Sequence, residues 1–228
     1  IDATARNTTL KYHPEWPAAS QADIDIVLNN ARLYSVRNRS NHAGNQAVDT
    51  AIDIPNLRNP VLKIDGLVTG TLGTLHEFAL QSPINGFTGG NLGRVTASGD
   101  ASFNLDLRVP LKDAKNTTLN GLLRSNNGTL AVEGLKPPIT DLIGEILITR
   151  DAIVADSLGG RFLGEDIDLV VGAGDDPRFF AVATATGSTT ATAIIEEFGV
   201  PLEGLLNGAT DYTAQLLFPR GGQETPQP

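Results

Sequence analysis

Residues 99–110 (GDASFNLDLRVP) constrain the fold most, because the chain contains this pattern twice. Phe103, Leu105, Leu107 and Val109 alternate with Asn104, Asp106 and Arg108, and the run stops at Pro110. Residues 208–219 (GATDYTAQLLFP) repeat the frame. Gly208 stands for Gly99, Tyr212 for Phe103, Ala214 for Leu105, Leu216 for Leu107, Phe218 for Val109 and Pro219 for Pro110, each pair 109 positions apart (208 − 99). Strict alternation is the period of a strand with one apolar and one polar face. Written twice in one register, it predicts a duplicated sheet-forming unit.

Each copy is preceded by a stretch with helical spacing. Residues 74–82 carry Leu75, Phe78 and Ala79, and residues 190–198 carry Ile194, Ile195 and Phe198. A corner follows in both: Pro83-Ile-Asn-Gly86-Phe87 matches Pro201-Leu-Glu-Gly204-Leu205. The unit is therefore strand, short helix, corner, strand. Alternation or apolar runs predict further strands over 22–33, 47–54, 61–71, 119–124, 129–132, 142–149, 152–156, 167–171 and 178–186. Residues 1–21 read as a polar leader, 35–45 as a polar loop and 125–128 as a hairpin turn. The expected architecture is mainly β, an antiparallel sheet with two short helices. Residues 1–219 form one segment of two repeat units, about 16–136 and 137–219, and 220–228 a polar tail.

Charge and composition exclude several functions. The net charge is −9 with a pI near 4.7, which opposes binding to nucleic acid. There is no cysteine, hence no disulfide or thiolate site. No run approaches the ~20 apolar residues of a membrane helix. The chain starts at Ile1 with a polar stretch, and is read as a piece excised from something larger. No catalytic constellation emerges. His13, His42 and His76 are scattered, and Gly159-Gly160 with Gly164 lacks the Lys-Ser/Thr of a phosphate loop. Asp175-Asp176 suits a turn before Pro177 as well as a calcium loop. No enzyme activity, metal or cofactor is expected.

What recurs is the apolar face. A closed sandwich would consume it as core, whereas an open sheet would leave a groove for an apolar ligand such as an acyl chain. Periodicity alone leaves both open.

Longer strings narrow the choice. Pro55-Asn-Leu57, Pro60-Val-Leu-Lys-Ile-Asp-Gly66-Leu-Val-Thr-Gly70, Ser82-Pro-Ile-Asn-Gly-Phe87, the 99–110 segment, Pro137-Pro-Ile-Thr-Asp-Leu-Ile-Gly144 and Gly159-Gly-Arg-Phe-Leu-Gly164 occur in this order. Over residues 16–219 the chain resembles the AsmA-like superfamily, in particular its YhdP-type branch. That resemblance implies an elongated, curved β-sheet with a hydrophobic groove (β-taco-like). It also implies a periplasmic segment of a long protein anchored in the inner membrane of Gram-negative bacteria. Such a segment would conduct phospholipid toward the outer membrane, and it brings no catalytic residues. The partners it implies are phospholipid or another acyl lipid and neighbouring segments of the same chain. The lining expected from hydrophobicity is Phe103, Leu105, Leu107, Val109, Tyr212, Leu216 and Phe218, with Ile24, Ile26, Leu28, Leu62, Ile64 and Val68 as further candidates. The alternative is a structural or assembly module of the envelope that binds protein partners at its sheet edges.

Overall fold

Twelve strands form one antiparallel sheet in which every strand pairs with its neighbours in sequence. The computed structural model describes residues 1–11, 15–173, 176–199, 201 and 208–221, apart from the side chains of Phe87 and Ala114. The strands are β1 (Asp2–Leu10), β2 (Ala19–Asn29), β3 (Arg32–His42), β4 (Asn45–Ile54), β5 (Val61–Thr71), β6 (Val95–Pro110), β7 (Thr118–Val132), β8 (Ile139–Thr149), β9 (Ile153–Phe162), β10 (Glu165–Gly172), β11 (Phe179–Thr190) and β12 (Ala209–Pro219). The sheet is curved and unclosed.

The duplicated unit recurs in the backbone. Strand β5 leads through helix α1 (Leu72–Leu80) to β6, and β11 leads through helix α3 (Ala191–Phe198) to β12. In each case the last strand residue is a threonine that caps the helix: Thr71 Oγ1 accepts from Thr74 N, and Thr190 Oγ1 from Ala193 N. This satisfies a donor that the first helical turn leaves unpaired. Gly99 and Gly208 share a left-handed backbone, with φ of 102° and 107°, before the alternating run begins. In the first unit the connection also holds a one-turn helix α2 (Ile84–Phe87) and a 3-10 turn, Asn91–Arg94; the matching corner 202–205 of the second unit lies outside the described residues. There are thus three α-helices among the described residues, against the two expected.

Three segments differ from the sequence-based expectation. The presumed leader contains strand β1, and the presumed loop 35–45 is most of strand β3, the turn 43–44 and the first residue of β4. The presumed hairpin turn 125–128 is a bulge inside the single strand β7. The cause is common to all three: a bulge breaks the period that marks a strand. Extra residues in β1, β2, β3, β4, β7 and β8 fall where the register shifts. Each such site holds a non-glycine residue at positive φ: Asn7, Gln21, Arg37, Asp49, Asn127 and Asp141. Bulges bend strands and sharpen their twist, so this series is the local source of the curvature.

The described residues form one sheet, so among them only the helices and the sheet's own curl cover the apolar side chains. The core gathers Ile139, Leu142, Ala155, Leu158, Phe162, Ile167 and Leu169 from β8, β9 and β10. Polar partners line the opposite surface, with ion pairs Arg6–Asp25, Arg32–Asp53 and Arg124–Glu145 at 2.7, 2.8 and 2.7 Å. Each is exposed and adds about 0–1 kcal/mol.

Candidate functional site

Residues directly opposite on paired strands project from the same face, so the register states which side chains share a surface. Leu62 faces Val109, Ile64 faces Leu107 and Val68 faces Phe103. Outward from Ile64 an unbroken row runs Ile26, Ser35, Ile52, Ile64, Leu107, Leu119 across β2 to β7. Leu28 joins through Leu33 to Ile54, and Ile24 is opposite Ala5 on β1.

A second row links the two halves. Ala101, Ser125, Gly144, Leu158, Leu169, Ala185 and Ala214 are successive partners from β6 to β12. Ala101 alternates in step with Phe103, Leu105, Leu107 and Val109, and Ala214 in step with Tyr212, Leu216 and Phe218. All thirteen expected lining residues therefore project from one continuous face. Sequence reasoning supplied those positions but missed the residues that join them: Leu119, Leu123, Ile146, Leu158, Ile167 and Leu169. All but Leu158 lie in strands expected from the sequence without their partners; Leu158 falls just beyond the expected strand 152–156.

Exposure divides this face. In β8 to β10 it is consumed by the core, with Leu158 only 3 % exposed. In β2, β5 and β6 most of it stays half-buried: Ile26, Leu28, Leu62, Ile64, Val68, Phe103, Leu105 and Val109. Leu107, at 8 %, and Ile24, at 7 %, are the buried members there. Tyr212, Leu216 and Phe218 on β12 are half-buried too.

Two aromatic rings lie flat on this face. A Cβ built at Gly121 would fall 2.1 Å from the Phe103 ring, and one at Gly187 would fall 2.9 Å from the Tyr212 hydroxyl. Each ring thus covers a glycine on the neighbouring strand, protecting backbone that has no side chain of its own. Burial pushes the Tyr212 phenol up from its usual pKa, and its hydroxyl has no hydrogen-bond partner among the described residues. Gly121→Val is expected to lift the Phe103 ring off the sheet and lower stability by about 1–3 kcal/mol. Adding Phe103→Ala should recover part of the loss in a double-mutant cycle of thermal unfolding. Purely additive losses would mean that the ring and the glycine do not touch.

The helices sit at one rim. In a sequential antiparallel sheet all odd-to-even connections fall at the same end, so α1 and α3 share it. Asn45 anchors α1: its Nδ2 donates to Thr74 O at 2.9 Å and to His42 O at 3.0 Å, and its Oδ1 accepts from Thr74 Oγ1 at 2.7 Å. The Phe78 ring packs against Trp16 at 5.9 Å and edge-on against His42 at 6.0 Å. Burial holds the His42 imidazole below its usual pKa. On the other helix, Phe198 approaches Phe162 at 6.5 Å.

The described residues weighed for other chemistry have ordinary structural partners or places in strands. His76 Nε2 lies 2.8 Å from Leu92 O, and Asp176 pairs with Arg178 in the turn before β11. Gly159 and Gly160 are strand residues of β9. No cluster of His, Asp or Glu among the described residues could hold a metal ion. His13, Asp175 and the corner residues 202–205 lie outside the described residues. No helix of the described residues is long and apolar enough to cross a membrane.

Comparison with known proteins gives the family. Residues 1–226 match the family described as "YhdP protein". The chain is similar to the "Intermembrane phospholipid transporter YhdP" of Escherichia coli (strain K12), 21 % identical over 178 residues. The match covers 78 % of this chain and 14 % of that relative. No solved structure matches.

Proposed function

The chain belongs to the YhdP family, and on that premise we propose that it is one segment of a periplasmic groove that binds and conducts phospholipid. The observation that carries the reading is the register, by which the apolar residues of both repeat units project from one uninterrupted face. Acyl chains need a continuous apolar lining and little polar recognition. The half-buried stretch on β2, β5 and β6, with Ile26, Ile64, Phe103 and Leu105, is the part of that face left for them. Since the chain spans 14 % of its longer relative, the neighbouring segments of one long protein are its nearest partners. Strands β1 and β12 are the sheet edges that would meet them.

The test is photo-crosslinking in the bacterial envelope from a photoreactive residue at Leu105 or Ile64. Phospholipid adducts are expected. Adducts to proteins alone would overturn the groove and favour an assembly module working through sheet edges.

A further inference from the structure

Gly86, in the connection after α1, is like Gly93 explained by neither packing nor backbone geometry, and of the two only Gly86 lines a cavity. Gly86 lies inside α2, where glycine is a poor helix residue. It is not in the left-handed region, and a Cβ there would meet nothing within 4 Å. Gly89 is different: its φ is 65° and a Cβ would fall 2.4 Å from Gly221 N. The space beside Gly86 is a cavity of about 480 Å³, between this connection and the far end of β11 and β12. The sheet's curl brings those ends together, and Asn91 Nδ2 donates to Pro219 O at 2.6 Å to hold them.

The lining has a definite chemistry. Arg220 reaches the cavity with its Nε donating to Pro177 O at 3.1 Å and its guanidinium 5.9 Å from the ring of buried Phe180. Its terminal nitrogens have no carboxylate among the described residues, whereas nearby Arg178 is paired with Asp176. Such a fork matches two oxygens of a phosphate. Asn85 lines the same cavity, and its Oδ1 is buried without a hydrogen-bond partner among the described residues. A buried acceptor left unpaired calls for a donor. Phe180 precedes Ala181, the partner of Phe218 on the apolar face, so the cavity lies beside the end of that face.

We propose that this cavity binds the phosphodiester headgroup of a phospholipid. Arg220 holds the phosphate oxygens, Asn85 accepts from the headgroup's ammonium or hydroxyl, and Gly86 keeps the space clear. The proposal rests on the phospholipid reading of the groove and adds a resting place for the polar end.

The test uses the 228-residue chain and a water-soluble probe without acyl chains, glycerophosphoethanolamine, followed by NMR, with inorganic phosphate titrated separately. Saturable shifts are expected at the Gly86 amide and the Arg220 Nε–H. They should weaken about tenfold or more in Arg220→Gln and in Gly86→Val, both judged folded by circular dichroism. Inorganic phosphate should bind about tenfold more weakly than the probe, since it offers Asn85 no ammonium. Equal binding of phosphate would overturn the headgroup assignment in favour of a free-anion site. Absence of any Arg220-dependent shift with either probe would overturn the site itself. Lipid adducts at Leu105 without these shifts would sink only the headgroup site, and shifts without lipid adducts only the groove.

Discussion

Replacing Leu158 by aspartate is expected to remove about 5 kcal/mol or more of stability, enough to leave no cooperative urea transition. The side chain is 3 % exposed at the centre of the cluster formed by Ile139, Leu142, Ala155, Phe162, Ile167 and Leu169. Losing the buried leucine forfeits about 2–3 kcal/mol, and an unpaired carboxylate in its place costs several more. A domain with a total of about 5–15 kcal/mol does not survive that comfortably. Leu105→Asp supplies the contrast. Leu105 projects from the same face but is half-buried and flanked by Gly66 and Gly121 on the adjacent strands. There the carboxylate can reach water, and the expected loss is about 1–2 kcal/mol. Equal losses at the two positions would mean that protein closes the whole face, and the groove would fall with that result.

The second large effect is at Asn45. This side chain is 1 % exposed and makes three hydrogen bonds that tie α1 to β3 and β4. Asn45→Ala deletes all three and leaves the carbonyls of His42 and Thr74 with fewer donors in a buried place. At about 0.5–1.5 kcal/mol per bond, the expected loss is about 2–4 kcal/mol. Hydrogen exchange locates it: amides of α1 should exchange faster while those of the core strands β8 to β10 keep their protection. Unchanged protection in α1 would show that Leu72 and Phe78 hold the helix without the asparagine.

How far the sequence speaks for the structure depends on where the bulges fall. Strand β5 is read to the residue, because 61–71 keeps one period from end to end and its pairing with β6 has no shift. The repeated frame of β6 and β12 is legible for the same reason. Strand β3 is not, because its inward positions after Leu33 are Ser35, Asn38, Ser40 and His42, which show no apolar stripe. They are kept inward by local bonds: Ser35 Oγ meets Asn38 Oδ1, and Asn38 Nδ2 donates to Thr50 O at 2.7 Å. Strand β7 reads as two strands because Asn127, at φ 63°, supplies the signature of a turn inside a strand. The candidate site was legible strand by strand from hydrophobicity. Its continuity was not, since joining Phe103 to Tyr212 requires the registers of six successive pairings, bulges included. The cavity at Arg220 left no periodic trace at all.

The strictly sequential strand order has a kinetic consequence. Every pairing joins segments that are adjacent along the chain, so no strand waits for a distant partner before it can form its ladder. The loops to be closed are short, except for residues 72–94 between β5 and β6 and 191–208 between β11 and β12, and even those closures add little because the entropy grows only with the logarithm of length. For an all-β protein, whose contacts are usually remote in sequence and whose folding is correspondingly slow, this is a low contact order. The sheet can therefore assemble hairpin by hairpin as the polypeptide emerges, each finished strand serving as the template for the next. A chain built this way can be lengthened by adding strands at an edge, with no rearrangement of what has already folded.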